Sequence, residues 1–426
     1  MRVRNIYKES FLLKTINFIT ISSAISYRMT ILPDLLFPSL MSSRFFICVF
    51  IALEVFTLFI NQQNGLSIKW NVVKFPPLMI LLVLVCLQII ITMAYLQIES
   101  TGAAIFTGLN DYLLAVLVYS LICARKTILP REYIIFAVFN IGITSIAFIL
   151  TQLGLLSPYT NEINGLSSLF YGNVESGQTY YMPGYLAVQS SNIRVSLTSK
   201  SYLGWSFEPH VFCLFVIPAI FYLVATCRRG FRFIWILIGL FMILQAFSVT
   251  AFLSAFISVF LYLFVNFRKG SRSLHVAIAV LIVVLVLAWM NKNSIDLAFL
   301  DYTRNKLFND RSSAEYSTNN LRNLLLPNSI IGDGIFVWDI RYTKEPNIGL
   351  LSWPLVIAYF ITVGLYCVKV MKSSKREIAI VGIGVLYTIL HMLKLAQASF
   401  CMPFLFLMLV ILCRVCEESN KKPYIG

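Results

Sequence analysis

Apolar residues run along this chain in blocks of membrane length, separated by short polar gaps and by two long polar stretches, 156–209 and 291–349. A helix needs roughly 20 apolar residues to cross the hydrocarbon core of a bilayer. That window predicts spans near 11–27, 45–60, 76–96, 104–123, 133–155, 210–226, 231–248, 250–266, 274–290, 350–369, 377–394 and 398–414. The expected fold is an all-α polytopic integral membrane protein of about 12 transmembrane helices (11–13) with two large loops. It reads as one membrane domain: helices one to five in 1–155, a first loop at 156–209, helices six to nine in 210–290, a second loop at 291–349, and helices ten to twelve with a tail in 350–426.

Orientation follows from where Lys and Arg collect in the short gaps, because basic residues stay on the cytoplasmic side. With a cytoplasmic amino terminus, the inner segments hold MRVRNIYK, Lys69 and Lys74, Arg125/Lys126/Arg131, Arg228/Arg229/Arg232, Arg268/Lys269/Arg272, Lys369/Lys372/Lys375/Arg376, and Arg414/Lys421/Lys422. The short outer gaps keep only Arg28, Arg44 and Lys394, so both long stretches face outward.

Composition agrees. The chain is 58% hydrophobic and 12% charged, against roughly 25% charged in soluble domains. Its net charge of +15 reports topology, because a nucleic-acid reader needs a basic face on a soluble domain. Neither long stretch contains a cysteine, so no external disulfide framework is expected, and Cys413 and Cys416 form a lone CxxC at the end of an apolar run. The start, MRVRNIYKES, is basic, but Lys14, Asn17 and several hydroxyls interrupt the run that follows, so no cleavable leader is expected.

The second stretch sets Lys292, Arg304, Lys306, Arg311, Arg322, Arg341 and Lys344 against as many acids, among them Asp301, Asp310, Asp333 and Asp339. With no net charge, arrangement matters more than bulk. LAFLDYTRNKLF and STNNLRNLLLP read as short amphipathic helices, and NSIIGDGIF as a tight turn at Gly332 and Gly334. The first stretch, rich in Gly, Ser, Asn and Tyr, reads either as a mobile cover or as a solvated connector.

Candidate chemistry gathers at the ends of these stretches. Glu208 precedes Pro209 at the outer mouth of the sixth helix, where it is either a half-desolvated general base or an acid favouring a helix start. His210 and Asp333 are the other groups able to handle a proton. No His/Asp/Glu spacing suits zinc or a Ser-His-Asp hydrolase, and neither a metal nor a cofactor is expected. Arg322, Arg341, Arg311, Arg194 and Arg304 are outward-facing cations whose planar, always-charged forks suit a diphosphate, although Arg304 is also placed to pair with Asp301 one turn away. Within the predicted helices, Glu54, Asp111 and Lys394 stand in expensive positions, and Gln88 and Gln245 read as interhelical hydrogen-bond partners.

Three motifs, in order along the chain, carry a resemblance. GWSFEP at 204–209 is similar to a G-x-x-x-E-P signature entering a helix, FSVTAFLSAFISVF from Phe247 to a hydroxyl-rich turn leading into an apolar helix, and RNLLLPNSIIGDGIFVW from Arg322 to an arginine about ten residues before a G-x-G turn. With its loop layout, the chain resembles the bacterial O-antigen and capsular repeat-unit polymerases (Wzy-type), which share an architecture with the O-antigen ligases. Two departures stand out. Ser201 occupies the place of an arginine before the first signature, leaving Lys200 or Arg194 to supply the cation, and Pro346-Asn347 stands where the ligases carry His-Asn, which favours polymerase over ligase.

The resemblance implies a GT-C-like membrane glycosyltransferase in the bacterial inner membrane, joining undecaprenyl-diphosphate-linked oligosaccharides at the periplasmic face. It implies the lipid bilayer as surroundings, a chain-length regulator and a flippase as partners, and no nucleic acid. In that reading the arginines, Arg322 first, hold the departing diphosphate, and Glu208, then His210 or Asp333, orients or deprotonates the acceptor hydroxyl. An O-antigen ligase is the rival in the same chemistry. A lipid-linked oligosaccharide flippase is the rival outside it, although polar residues paired at mid-membrane and an internal repeat, the marks of a transporter, are not evident in the sequence.

Overall fold

The structure, a computed structural model, describes residues 75–94, 131–155, 158–159, 178–181, 186–190, 200–204, 206, 209–246, 248–266, 329–334, 348–392 and 402–420, with single positions before residue 57. Its helices are α1 (Pro76–Ala94), α2 (Arg131–Gln152), α3 (Pro209–Thr226), α4 (Arg229–Ala246), α5 (Val249–Val265), α6 (Gly349–Met371), α7 (Arg376–Met392) and α8 (Met402–Asn420). Each overlaps a predicted span. The predicted spans near 11–27, 45–60, 104–123 and 274–290 lie outside the described residues apart from isolated helical positions such as Thr15 and Leu53.

Among the described residues, Pro76–Ala94, Arg131–Leu150 and Gly349–Met371 are long and apolar enough to cross a membrane, and His210–Thr226, Gly230–Ala246 and Thr250–Val265 are shorter apolar helices. Their outer faces confirm the environment. On α4, Phe231, Phe233, Leu237, Leu240 and Leu244 are exposed, and on α5 Phe252, Phe256, Phe260 and Phe264 form an outward ladder with ring centroids 6.3 to 6.5 Å apart. A continuous apolar face of this kind needs lipid rather than water against it. This is a helical membrane protein.

Helix α7 is the centre. It packs on α3, α5, α6 and α8, and its residues from Ile378 to Ile389 are all buried, as expected of a helix that is apolar all round. Glycines let its neighbours come close. A Cβ on Gly382 would stand 2.6 Å from Val370 of α6, and one on Gly384 would stand 3.2 Å from Phe221 and 3.5 Å from Pro218 of α3. On α5, Ala251, Ser254 and Ser258 are buried at helical spacing, while the phenylalanine ladder faces out. Small residues at such spacing allow the close approach that drives helix association in lipid.

One departure from helix lies outside the bundle. The first loop holds four short antiparallel strands in the order β1-β2-β3-β4: Pro158–Tyr159, Gln178–Tyr181, Leu186–Ser190 and Lys200–Gly204. Tyr181 pairs with Leu186 in the β2–β3 hairpin, and the β3–β4 register shifts between Ala187 and Val188. Strand β4 packs on α2, α3 and α4. Neither expectation for this stretch, cover or connector, foresaw a sheet seated on the helix ends, because the strands are too short to show an alternating pattern against a background of Gly and Ser.

The helices share two ends. Arg232 approaches Glu377 at 4.0 Å, and Asn266 donates to the Met371 carbonyl at 3.1 Å, so one end gathers Arg228, Lys372, Lys375 and Arg376. Strand β4, His210, His391 and the turn at 329–334 occupy the other. We call these the basic end and the loop end.

A candidate functional site at the loop end of the bundle

Two corners build the loop end. In the first, α1 and α6 clamp the glycine turn. Leu350 and Leu351, at the start of α6, donate their backbone N–H groups to the carbonyls of Ser329 (2.9 Å) and Ile330 (3.0 Å). A helix start leaves its first N–H groups without intrahelical acceptors, and the turn supplies them. Gln88 of α1 reaches the Ile348 carbonyl (3.2 Å) and the Ser352 hydroxyl (2.6 Å), while Thr92 donates to the Gln88 carbonyl (2.7 Å). Gln88 is thus the interhelical partner its sequence context predicts.

The turn has its sharp shape because Gly332, Gly334 and Gly349 adopt φ of 83°, 85° and 71°. A side chain on Gly334 would fall on the Thr92 hydroxyl, and one on Gly349 on the Ile331 carbonyl. Only glycine satisfies both the left-handed backbone and the close approach. Asp333, half-exposed between two such glycines, is therefore held on a fixed support at the mouth of the bundle.

The second corner is the start of α3. Pro209 opens the helix, a position where its missing N–H costs nothing. His210 follows, half-buried, and its ring lies nearly parallel (20°) to that of His391, with centroids 6.2 Å apart. His391 stands in the last turn of α7, 0% exposed, and Tyr387 one turn earlier lies 5.3 Å from it. His391 stands out little in the sequence. Its only signal was the rarity of histidine, three in the chain, together with a place near the outer end of a predicted helix.

Nearby on this end, Ser206 is fully buried, and Gln245, in the last turn of α4, is 6% exposed. Among the described residues, the Ser206 hydroxyl and both polar atoms of the Gln245 amide find no hydrogen-bond partner. That corrects the expectation that Gln245 bridges helices. Three residues on, Ser248 caps α5 by accepting from the Ala251 N–H at 3.2 Å.

Of the predicted site residues, His210 and Asp333 are placed at the loop end, on different helix pairs. Glu208, Arg194, Arg304, Arg311, Arg322 and Arg341 lie outside the described residues, as do Glu54, Asp111 and Lys394. No family model and no curated protein matches the chain. Among the described residues no group of three or more His, Cys, Asp or Glu side chains is gathered as a metal would need. The loop end therefore offers an imidazole, a carboxylate on a rigid turn and unspent neutral hydrogen-bonding groups. Such groups can exchange protons and hydrogen bonds.

Proposed function

We propose that this protein is a membrane glycosyltransferase that polymerises undecaprenyl-diphosphate-linked oligosaccharide repeat units at the periplasmic face of the bacterial inner membrane, building O-antigen or capsular polysaccharide. The observation that carries the reading is the polarity of the bundle: an imidazole, a carboxylate on a clamped glycine turn and a small sheet share one end, opposite the basic one. In this reading a lipid-anchored substrate presents its sugar at that end. About a dozen spans, a cytoplasmic amino terminus and both long loops outside complete the topology, on the distribution of basic residues.

In the reaction an acceptor sugar hydroxyl bonds to the donor's anomeric carbon while the carbon–oxygen bond to the diphosphate breaks, and the polyprenyl diphosphate leaves with the electron pair. Arg322, with Arg341, Arg311, Arg194 and Arg304, stabilises the charge that develops on the leaving group, because fixed cations aimed at developing charge act without reorganising. Glu208 orients or deprotonates the acceptor hydroxyl, and His210, two residues further on, or Asp333 is the alternative proton acceptor.

Deleting the gene in its host and separating surface polysaccharide on a gel tests this reading. Lipid-A cores capped with a single repeat unit support it. Uncapped cores with accumulated lipid-linked polymer replace it with a ligase, and absence of periplasmic repeat units replaces it with a flippase.

A further inference from the structure

We infer that His391 is a positioning residue for His210: the buried imidazole at the end of α7 fixes the ring plane of the imidazole at the start of α3. The inference deepens the proposed function and rests on His210 serving the transfer.

Helix geometry brings the two rings together. Gly384, Tyr387 and His391 recur at i, i+3 and i+7, one stripe of α7. That stripe faces α3 along its length: Gly384 meets Pro218 and Phe221, Tyr387 meets Phe221 with centroids 6.4 Å apart, and His391 meets His210. Gly384 sets the spacing of that stripe, and the histidines face each other at its loop end.

Their surroundings differ. His391 has both ring nitrogens sealed from solvent and Tyr387 tilted against it at 5.3 Å, whereas His210 keeps part of its surface open. A partly exposed ring held nearly parallel to a buried one suits a group that must meet substrate in one orientation. The plane of His210 decides where its nitrogens point, and a proton acceptor must point at the acceptor hydroxyl for transfer to accompany bond formation. His391 touches no reacting atom in this account; it acts through His210.

The test uses the full-length protein in lipid nanodiscs, with His391→Phe and His391→Leu compared with the wild type. Phenylalanine keeps a flat ring in the stack, and leucine fills space without one. Two measurements are made: kcat and KM for the host's own extracted lipid-linked repeat unit, and the rate at which diethyl pyrocarbonate labels His210, followed by mass spectrometry of its peptide. If His391 positions the ring, His391→Leu loses kcat about ten- to hundredfold with KM nearly unchanged and labels His210 faster, whereas His391→Phe stays near wild type in both. Equal behaviour of the leucine and phenylalanine variants overturns positioning, because a residue that only fills volume is replaced as well by either. Should the wild type transfer no sugar, the polymerase reading falls, while the labelling order of the two variants still decides whether His391 holds His210.

Discussion

At the loop end, the start of α6 borrows its hydrogen-bond acceptors from the glycine turn, and Gln88 ties that corner to α1. At the basic end, long side chains make the connections: Arg232 donates to the Cys227 carbonyl at 3.0 Å and the Ala225 carbonyl at 3.5 Å, and approaches a largely exposed Glu377 at 4.0 Å. Contacts of the first kind depend on backbone shape, which a single methyl group destroys. Those of the second bend, and their charges are screened by water and salt. Tolerance to substitution should therefore differ sharply between the two ends, and the substitutions below probe the difference.

The largest effect belongs to the chemistry. Arg322→Ala and Glu208→Gln should each abolish polymerisation, a loss of at least about a hundredfold, while immunoblots show normal protein levels; polymer of normal length in both would remove these residues from the site. Next comes the clamp. Gly349→Ala combines a left-handed φ with a collision on the Ile331 carbonyl, and should lower thermal stability in nanodiscs by about 3 kcal/mol, whereas Gly364→Ala on the same helix, with open space around it, should leave the melting temperature unmoved.

Smaller effects sharpen the contrast. Gln88→Leu removes donors from the Ile348 carbonyl and the Ser352 hydroxyl, a cost of about 1–2 kcal/mol. At the basic end Arg232→Ala should cost about 1 kcal/mol or less, and adding salt should shrink that cost further. A larger penalty there than for Gly349→Ala would reverse the comparison. Gln245→Leu is the smallest and has the opposite sign: an amide buried without partners already bears its desolvation, so an apolar side chain of similar length should be neutral or stabilise by about 0.5–1 kcal/mol in chemical unfolding.

The two glutamines show where sequence reading stops. Both sit in apolar helices and look alike in one dimension, but a partner depends on what the facing helix presents: Ser352 meets Gln88, and among the described residues no polar group meets Gln245. Helix positions were legible because membrane length is written directly in apolar runs, and the turn at 332–334 because glycine tolerates φ that other residues avoid. The sheet was hidden, since strands as short as Pro158–Tyr159 leave no period to detect. His391 was hidden too, because a contact between distant helices depends on the rotation of each about its own axis, which an apolar, fully buried helix does not encode in its pattern. The arginine set and Glu208 rest on sequence alone.

Gly382 and Gly384 are two residues apart, which turns them to nearly opposite sides of α7, one toward α6 and one toward α3. Helix α7 therefore works as a thickness gauge inserted in the middle of the bundle, and two missing side chains set its reading. An added methyl would press on Val370 of α6 on one side and on Phe221 of α3 on the other, and those neighbours would have to give way. Girth is here recorded in two hydrogen atoms.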